Sequence, residues 1–327
     1  MKTIMKITKT ILMAALVAAA VCGCNQKQNA PTDQNQPTPE SQPKQITIGI
    51  SYQNLQNEFI INIQDAVQAE AKKQNVKLIE SDGQGSADNQ YSQIQDFLAQ
   101  GVDAIILNPY DKEGDVRVVD AAVAAHKPIV VVNAIVSNLD KANAYVGSQD
   151  AEAGRIEAQQ MMNVLGGKGN VVIIHGPNGH SAEVQRTEGI REILTNYPDV
   201  KVVFEQTANW DRAQALDLMQ NWLASGQKID GVLAQNDEMA LGALKAVEAA
   251  GKQDQIAVIG IDAIPDALKA VADGKMVATV FQDAKGQGSM AVDMAVNLAE
   301  GKPVQHDNYI PFQLVTKTNV TQFLQSN

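Results

Sequence analysis

The sequence alternates short apolar runs with longer segments in which apolar residues recur every three or four positions. This alternation predicts an α/β fold, because short β-branched runs form strands and the helical period places one face of a helix against them. Several runs are apolar throughout, as parallel strands covered on both faces require. The predicted strands are 46–50, 76–80, 104–107, 129–132, 171–174, 200–205, 231–234 and 256–261, and the clearest predicted helix is 59–73.

An internal repeat divides the chain into two similar halves. Residues 93–108 read QIQDFLAQG-VDAIILN, and residues 218–236 read LMQNWLASG followed, after two extra residues, by IDGVLAQN. The same spacing of about 125 to 129 residues pairs 128–133 with 257–262. The repeat therefore predicts two lobes of similar structure.

Polar residues follow the apolar strands at equivalent places in the two halves. They are Ser51, Asn108 and Asn133 in the first half and His175, Asn236 and Asp262 in the second. Open parallel sheets bind ligands at the carboxyl ends of their strands, although an asparagine there also simply starts a turn. The recurrence favours a cleft lined by neutral amides, which supply hydrogen-bond donors and acceptors rather than catalytic groups.

Three larger side chains are candidates for a sugar site. Only 4% of residues are aromatic, yet Phe59 and Trp210 lie in or beside polar loops, where they could cover the C–H face of a sugar ring. Arg186 could donate a fork of N–H groups to neighbouring hydroxyls. Core packing remains an alternative for Phe59 and is the prediction for Trp222, which has helical core spacing.

Charge and motif content argue against other functions. The chain of 327 residues has 26 basic and 37 acidic residues, a net charge of −11, which disfavours nucleic acid as a partner. The four histidines lack metal-ligand spacing, and no nucleophile elbow, phosphate loop or HExxH motif occurs. We therefore expect neither catalysis nor a metal or other cofactor.

The first residues have the pattern of a secretory signal with a lipid-attachment site. Three lysines precede an apolar run at residues 11–21, and Gly23 precedes Cys24. We expect residues 1–23 to be removed, Cys24 to be lipidated and residues 24–45, rich in Gln and Pro, to form a flexible tether. Loss of residues 1–23 changes the net charge to −14. The alternative to lipidation is that Cys22 and Cys24 are ordinary apolar residues of a short helix.

Two motifs carry a family resemblance. Residues 234–243, AQNDEMALGA, and 260–266, GIDAIPD, resemble the ribose-binding branch of the periplasmic sugar-binding proteins, and the resemblance runs from about residue 46 to 303. The lactose-repressor family shares this fold, but here a signal stands where its DNA-reading helices would be. The resemblance implies the type I fold, with two doubly wound parallel-sheet lobes joined by a three-strand hinge near Ser148, Gln282 and Tyr309. The implied lobes are 46–148 plus 283–309 and 149–282 plus 310–327.

The resemblance also implies a ligand set. It consists of Asn57, Phe59, Asn108, Asn133, Arg186, Trp210, Asn236, Asp262 and Gln282. Asn57, Arg186 and Gln282 owe their place chiefly to the resemblance. Where ribose binders have Asp-Arg, this chain has Asn133 and Ala134, and Ile60 replaces a second aromatic residue. A roomier, less charged pocket is expected, which favours a hexose or inositol over ribose.

These observations predict a monomeric, extracytoplasmic solute-binding lipoprotein. It would capture a sugar or cyclic polyol between its lobes and deliver it to the permease and ATPase of an ABC importer, with the lipid as its only membrane contact. One alternative is a sensory receptor that presents a sugar-like signal to a membrane sensor. Another is a secreted glycoside-acting enzyme, which would need two carboxyl groups about 5–9.5 Å apart.

Overall fold

Two six-stranded sheets organise the part of the chain that the computed structural model describes, residues 45–324, which lie in one compact unit beginning at Gln45. The predicted signal, Cys24 and all of the tether except its last residue lie outside the described residues. The strands are β1 Thr47–Tyr52, β2 Lys77–Asp82, β3 Ala104–Leu107, β4 Ile129–Asn133, β5 Ala144–Gly147, β6 Gly169–His175, β7 Val200–Thr207, β8 Gly231–Ala234, β9 Ala257–Asp262, β10 Ala278–Phe281, β11 Asp307–Tyr309 and β12 Gln313–Thr316. The helices are α1 Glu58–Lys73, α2 Ala87–Gln100, α3 Val116–Ala124, α4 Asp150–Leu165, α5 Ser181–Leu194, α6 Arg212–Ala224, α7 Asp237–Ala249, α8 Pro265–Ala272, α9 Ala284–Ala299 and α10 Val320–Leu324.

The two sheets have the same strand order. The first is β2-β1-β3-β4-β5-β11 and the second is β7-β6-β8-β9-β10-β12. The first sheet with α1, α2, α3 and α9 is called the first lobe below, and the second sheet with the other helices is the second lobe. The matching order confirms the predicted pair of doubly wound lobes.

The chain passes between the lobes three times, after β5, after β10 and after β11. β11 runs towards the crossing, as β5 does, so the two pair in parallel. β12 has just left the crossing while β10 approaches it, so this pair is antiparallel. The direction of travel through the crossings therefore explains the one antiparallel pair among otherwise parallel strands.

Both faces of each sheet are buried, as the continuous apolar runs predict. In β4, Val130 and Val132 pack on the side of α1 and α9, whereas Ile129 and Val131 pack on the side of α2 and α3. Successive side chains of a strand point to opposite faces, so a strand covered by helices on both sides needs apolar residues at every position. In the second lobe α4 and α5 cover one face and α6, α7, α8 and α10 the other.

Glycines set the closest approach of α4 and α5. A Cβ on Gly154 would lie 2.1 Å from the carbonyl oxygen of Arg186, and one on Gly189 would lie 2.0 Å from that of Ala151. Both neighbours are backbone atoms, which no change of rotamer can move. The two helices therefore touch through their main chains, and this contact fixes the position of α5 and of the arginine that it carries.

No helix among residues 45–324 is both long and apolar enough to cross a membrane. The strands that the sequence pattern missed are all short: β5 and β10 have four residues each, β11 has three and β12 has four. β3 and β8 are equally short, but β10, β11 and β12 each contain a polar residue that interrupts the apolar run.

Candidate functional site

A cavity lies between the lobes, at the carboxyl ends of the strands. A water-sized sphere has about 20 Å³ of room there, within about 290 Å³ that is free of protein atoms and includes open solvent. Eight of the nine predicted ligand residues line it: Asn57, Phe59, Asn133, Arg186, Trp210, Asn236, Asp262 and Gln282. Gln53, Ile60, His180 and Ala182 complete the lining.

Two asparagines reach the cavity from the first positions of helices. Asn57 caps α1, its Oδ1 accepting from the backbone N–H of Phe59 at 2.9 Å. Asn236 caps α7 in the same way, accepting from Met239 at 2.9 Å. The cap occupies the amide oxygen and leaves the NH₂ group, and the Asn236 Nδ2 is buried with no partner. An unpartnered buried donor is costly, so a ligand acceptor here would relieve that cost.

Asn133 also lines the cavity, but Asn108 does not. Asn133 has a left-handed backbone, with φ 69°, and its Nδ2 donates to Gln287 Oε1 at 3.2 Å. Asn108 is fully buried behind it. Its Nδ2 donates to the carbonyl oxygen of Val132 at 3.3 Å, and its Oδ1 accepts from Gln53 N–H at 3.2 Å. In this structure Asn108 positions the backbone around two lining residues.

Arg186 joins several buried polar groups of the second lobe. It is only 4% exposed, and its Nε and one NH₂ group both contact Asp150 Oδ1, at 2.9 and 2.8 Å. The guanidinium also donates to the carbonyl oxygen of Gln235 at 2.5 Å and to Gln282 Oε1 at 3.2 Å. The Nε2 of Gln282 is then buried without a partner. The Nη1 atom that donates to Gln235 also lies 4.0 Å from Asp262 Oδ1.

Asp262 is the last residue of β9, and buried hydrogen bonds fix the backbone of the loop that follows it. Asp262 and Ala263 have φ angles of 126° and 59°, both unusual for residues with side chains. Thr279 Oγ1 accepts from Ala263 N–H at 3.2 Å, and Asp237 Oδ2 accepts from Ile264 N–H at 3.0 Å. Burial raises the pKa of Asp262 well above its ordinary value, with Arg186 opposing the rise. The end of β9 thus presents a desolvated acid to the cavity.

Aromatic rings line the cavity from both lobes. Asn209 and Trp210 both adopt left-handed backbone conformations, and the Trp210 ring occupies the place that a Cβ on Gly176 would need. The Arg186 guanidinium carbon lies 5.7 Å from the Trp210 ring centroid. Phe59 both lines the cavity and packs in the first lobe's core. Trp222 is confirmed as a core residue, stacked on Phe204 at 5.6 Å.

Ser51 and His175, the other strand-end candidates, lie outside the cavity lining. Strand β1 runs to Tyr52, two residues beyond the predicted end, so Ser51 is inside the strand and donates to Gln93 Oε1 at 2.7 Å. Gln53, the first residue after β1, lines the cavity instead. His175 Nδ1 lies 3.1 Å from Thr187 Oγ1. The polar residues mark the correct edge of the sheet, but β1 and β6 end one or two residues later than the sequence pattern predicts.

His180 is the second lining residue with a polar side chain that was not predicted from the sequence. It caps α5 as Asn57 caps α1, and it follows Asn57 at about the repeat spacing. That equivalence is the signal by which the sequence could have indicated it. Its ring is buried, and burial lowers the pKa of His180 to about 3, with the nearby Arg186 charge acting in the same direction.

Comparison with known proteins identifies the family. The family described as periplasmic binding protein domain matches residues 48–303. The chain belongs to the periplasmic binding protein family. This confirms the resemblance to periplasmic sugar-binding proteins, and the family places the protein outside the cytoplasm. Its members bind solutes and are not enzymes; among the described residues of this one, no group of three or more His, Cys, Asp or Glu could hold a metal ion.

Individual relatives cover most of this periplasmic binding protein. A protein of Rhizobium meliloti named for rhizopine binding is 40% identical over 86% of this chain and 93% of its own. The xylitol-binding protein of Mycolicibacterium smegmatis is 38% identical over 84% of this chain and 78% of its own. An ABC transporter solute-binding protein from Bacillus halodurans, solved with bound myo-inositol, has a TM-score of 0.84 and 42% identity, and the match covers 86% of this chain and 98% of that one.

Proposed function

We propose that this protein captures a polyhydroxylated ligand in the cavity between its lobes and delivers it to the permease and ATPase of an ABC importer, with a six-membered ring such as a hexose or inositol preferred over ribose. The lining carries the proposal. Amides, one acid and one guanidinium, most of them buried, meet aromatic rings around this space. Hydroxyl groups donate and accept at once, so they can satisfy both the unpartnered NH₂ groups and the Asp262 carboxyl.

The two lobes offer a ligand hydrogen-bonding partners on opposite sides of the cavity. Asn57, Phe59 and Asn133 face the cavity from the first lobe, and Asn236 and Asp262 face it from the second. A ligand that contacts both sides stabilises the closed arrangement, because only that arrangement offers all the contacts. We propose lobe boundaries at 46–148 plus 283–309 and 149–282 plus 310–327, with ligand-driven closure about the three crossings.

The preference for a larger ring rests on the first lobe. Asn133 and Ala134 leave no positive charge beside the cavity there, and Ile60 lines it where an aromatic side chain would take more room. Two relatives support a neutral, hydroxyl-rich ligand. The Bacillus halodurans protein was solved with myo-inositol, and the Mycolicibacterium smegmatis protein is named for the polyol xylitol.

Calorimetric titration of the mature protein with myo-inositol, D-glucose, D-galactose, xylitol and D-ribose tests the proposal. We expect at least one six-membered compound to bind more tightly than ribose, and scattering to show a smaller radius of gyration when it is bound. Tight ribose binding without binding of any larger ring would overturn the ring preference. If no compound binds, the sugar-binding proposal is wrong.

A paired substitution connects the titration to the cavity. We expect Asp262→Asn to weaken binding by about 10- to 100-fold, because a hydrogen bond to a charged group contributes about 1.5–3 kcal/mol. Asp266→Asn, in the first turn of the following helix α8 but exposed and paired with Arg212, is the matched control and should leave binding unchanged. Equal affinities for the two variants would place the ligand elsewhere.

We propose further that the mature protein is a monomer tethered to the membrane by a lipid on Cys24. The charge-then-apolar order of residues 1–24 supports this, and so does the family's location outside the cytoplasm. Cells fed radiolabelled palmitate should label the wild-type protein, which should partition into detergent. Cys24→Ser should remain unlabelled and partition into the aqueous phase, whereas Cys22→Ser is the control. Labelling of Cys24→Ser would contradict the anchor.

A further inference from the structure

A row of hydrogen bonds crosses the cleft beside the cavity. The segment 177–181 of the second lobe meets three loops of the first lobe, those after β1, β3 and β4. Gly179 carbonyl oxygen accepts from Lys112 N–H at 3.1 Å, and Ser181 Oγ accepts from Ile135 N–H at 2.9 Å. Between them, His180 Nε2 lies 2.7 Å from Gln53 Oε1. Of these three bonds, only the one from His180 involves a group that titrates near neutral pH.

The two nitrogens of the His180 ring have opposite hydrogen-bonding roles. Nδ1 accepts the backbone N–H of Ala182 at 3.1 Å, which caps α5. The ring proton therefore resides on Nε2, which donates it to Gln53 Oε1. A protonated ring would carry N–H at both positions, and its Nδ1–H would oppose the N–H of Ala182. The closed arrangement accordingly requires the neutral ring.

The surroundings of the ring add to this requirement. Arg186 lies on the same helix, and its charge opposes a second positive charge. Tyr110 from the first lobe and Trp210 from the second pack their rings against the imidazole edge-on, at 6.4 and 5.4 Å between centroids. Two acids lie nearby: Asp111 of the first lobe against Gly179, and Asp262 across the cavity. Neither hydrogen-bonds the ring, since both ring nitrogens already have other partners.

We infer that Gln53 and His180 form a proton-sensitive clasp between the lobes, so that His180 is a positioning residue for ligand capture and acid releases the ligand. The inference rests on the proposed sugar-binding function. In an open cleft Gln53 and Tyr110 would move away with the first lobe, and water would reach the ring. Protonation would then hold the cleft open, because the charged ring cannot re-enter the clasp.

The sign of the pH dependence follows from the direction of the pKa change. The pKa of His180 is about 3 when the lobes are closed, and an exposed histidine has a value of about 6.5. Closure therefore releases a proton at pH values between these two. Affinity is fully present above about pH 6.5 and is lost as the pH falls towards 3. At pH 5 we expect binding about 10- to 30-fold weaker than at pH 8.

The test measures dissociation constants at pH 8 and pH 5 for whichever of the five compounds, myo-inositol, D-glucose, D-galactose, xylitol and D-ribose, binds the wild-type protein. His180→Gln keeps a donor able to reach Gln53 but does not titrate, so its affinities at the two pH values should agree within about twofold. His180→Asn keeps a cap for α5 but is too short for the clasp, so it should bind weakly at both pH values. His126→Asn, an exposed control, should retain the wild-type pH dependence.

Each outcome decides between the two proposals. A wild-type affinity that does not change between pH 8 and pH 5 overturns the clasp and leaves the sugar-binding function standing. The clasp is also overturned if His180→Gln keeps the full pH dependence, because another group would then be titrating. Failure of all five compounds to bind the wild type at pH 8 overturns both proposals together.

Discussion

Replacing Arg186 by methionine is expected to abolish sugar binding and to lower the free energy of unfolding by about 3–5 kcal/mol. The guanidinium is buried and neutralises Asp150, which is itself 2% exposed. Removing one partner of a buried ion pair leaves the other charge desolvated and uncompensated. Binding fails as well, because Gln282 loses the donor that orients its side chain at the cavity. Urea unfolding and calorimetric titration measure the two effects.

The loss of stability in Arg186→Met should depend on pH. Burial already raises the pKa values of Asp150 and Asp262, with Arg186 opposing the rise in both. Without the arginine, both pKa values rise further above those of the unfolded chain. The two acids then take up protons in the folded state, so the penalty is small at low pH and grows as the pH rises. We expect the variant to be closer to wild type at pH 5 than at pH 8.

A double variant separates stability from binding. Asp150→Asn combined with Arg186→Met removes both charges of the pair, so it should recover part of the lost stability without restoring binding. Arg186→Lys keeps the charge but cannot reach Asp150, Gln235 and Gln282 together, since an ammonium is a point charge without the planar fork. A methionine variant that unfolds and binds like the wild type would refute the role given to Arg186.

The sequence pattern predicted the parts of the structure that depend on local chemistry. Continuous apolar runs such as residues 129–132 of β4 identify doubly covered strands because every side chain of such a strand is buried. The repeat predicted two lobes because each copy forms the same sheet order. Asparagine and aspartate directly after strands located the cavity, since carboxyl strand ends share one edge of a sheet.

The parts that escaped prediction depend on distant segments. Whether Asn108 faces the cavity or the backbone of its neighbours is decided by Gln53 and Asn133, which approach it from other strands. The clasp between Gln53 and His180 joins residues 127 positions apart in the chain. No local pattern records such a contact, because it exists only after the crossings have set the two lobes face to face.

The contact between α4 and α5 links the packing of the second lobe to the geometry of the cavity. Arg186 supplies the cavity's guanidinium, and its own backbone carbonyl oxygen is the atom that Gly154 approaches. The position of the guanidinium is thus set by a main-chain contact on the far side of the same helix. The geometry of the cavity therefore depends on Gly154, which has no side chain and does not line the cavity.

Gly154→Ala should therefore weaken binding even though Gly154 does not line the cavity. The new methyl group cannot fit 2.1 Å from the Arg186 carbonyl oxygen, so α5 must move away and carry the guanidinium from Asp150 and Gln282. We expect binding to fall at least tenfold, because misplacement of a polar group by about 1 Å has effects of that order. The free energy of unfolding should fall by about 1–3 kcal/mol through overpacking.

Gly189→Ala tests the same contact from the other helix, where the new Cβ would meet the carbonyl oxygen of Ala151 at 2.0 Å. The double variant should cost less than the two single variants added together, because the helices need to separate only once. Asn163→Ala, on the exposed face of α4, controls for helix propensity and should leave binding unchanged. If Gly154→Ala is as stable and binds as tightly as this control, α5 is not positioned by its contact with α4, and the link between the helix packing and the cavity fails.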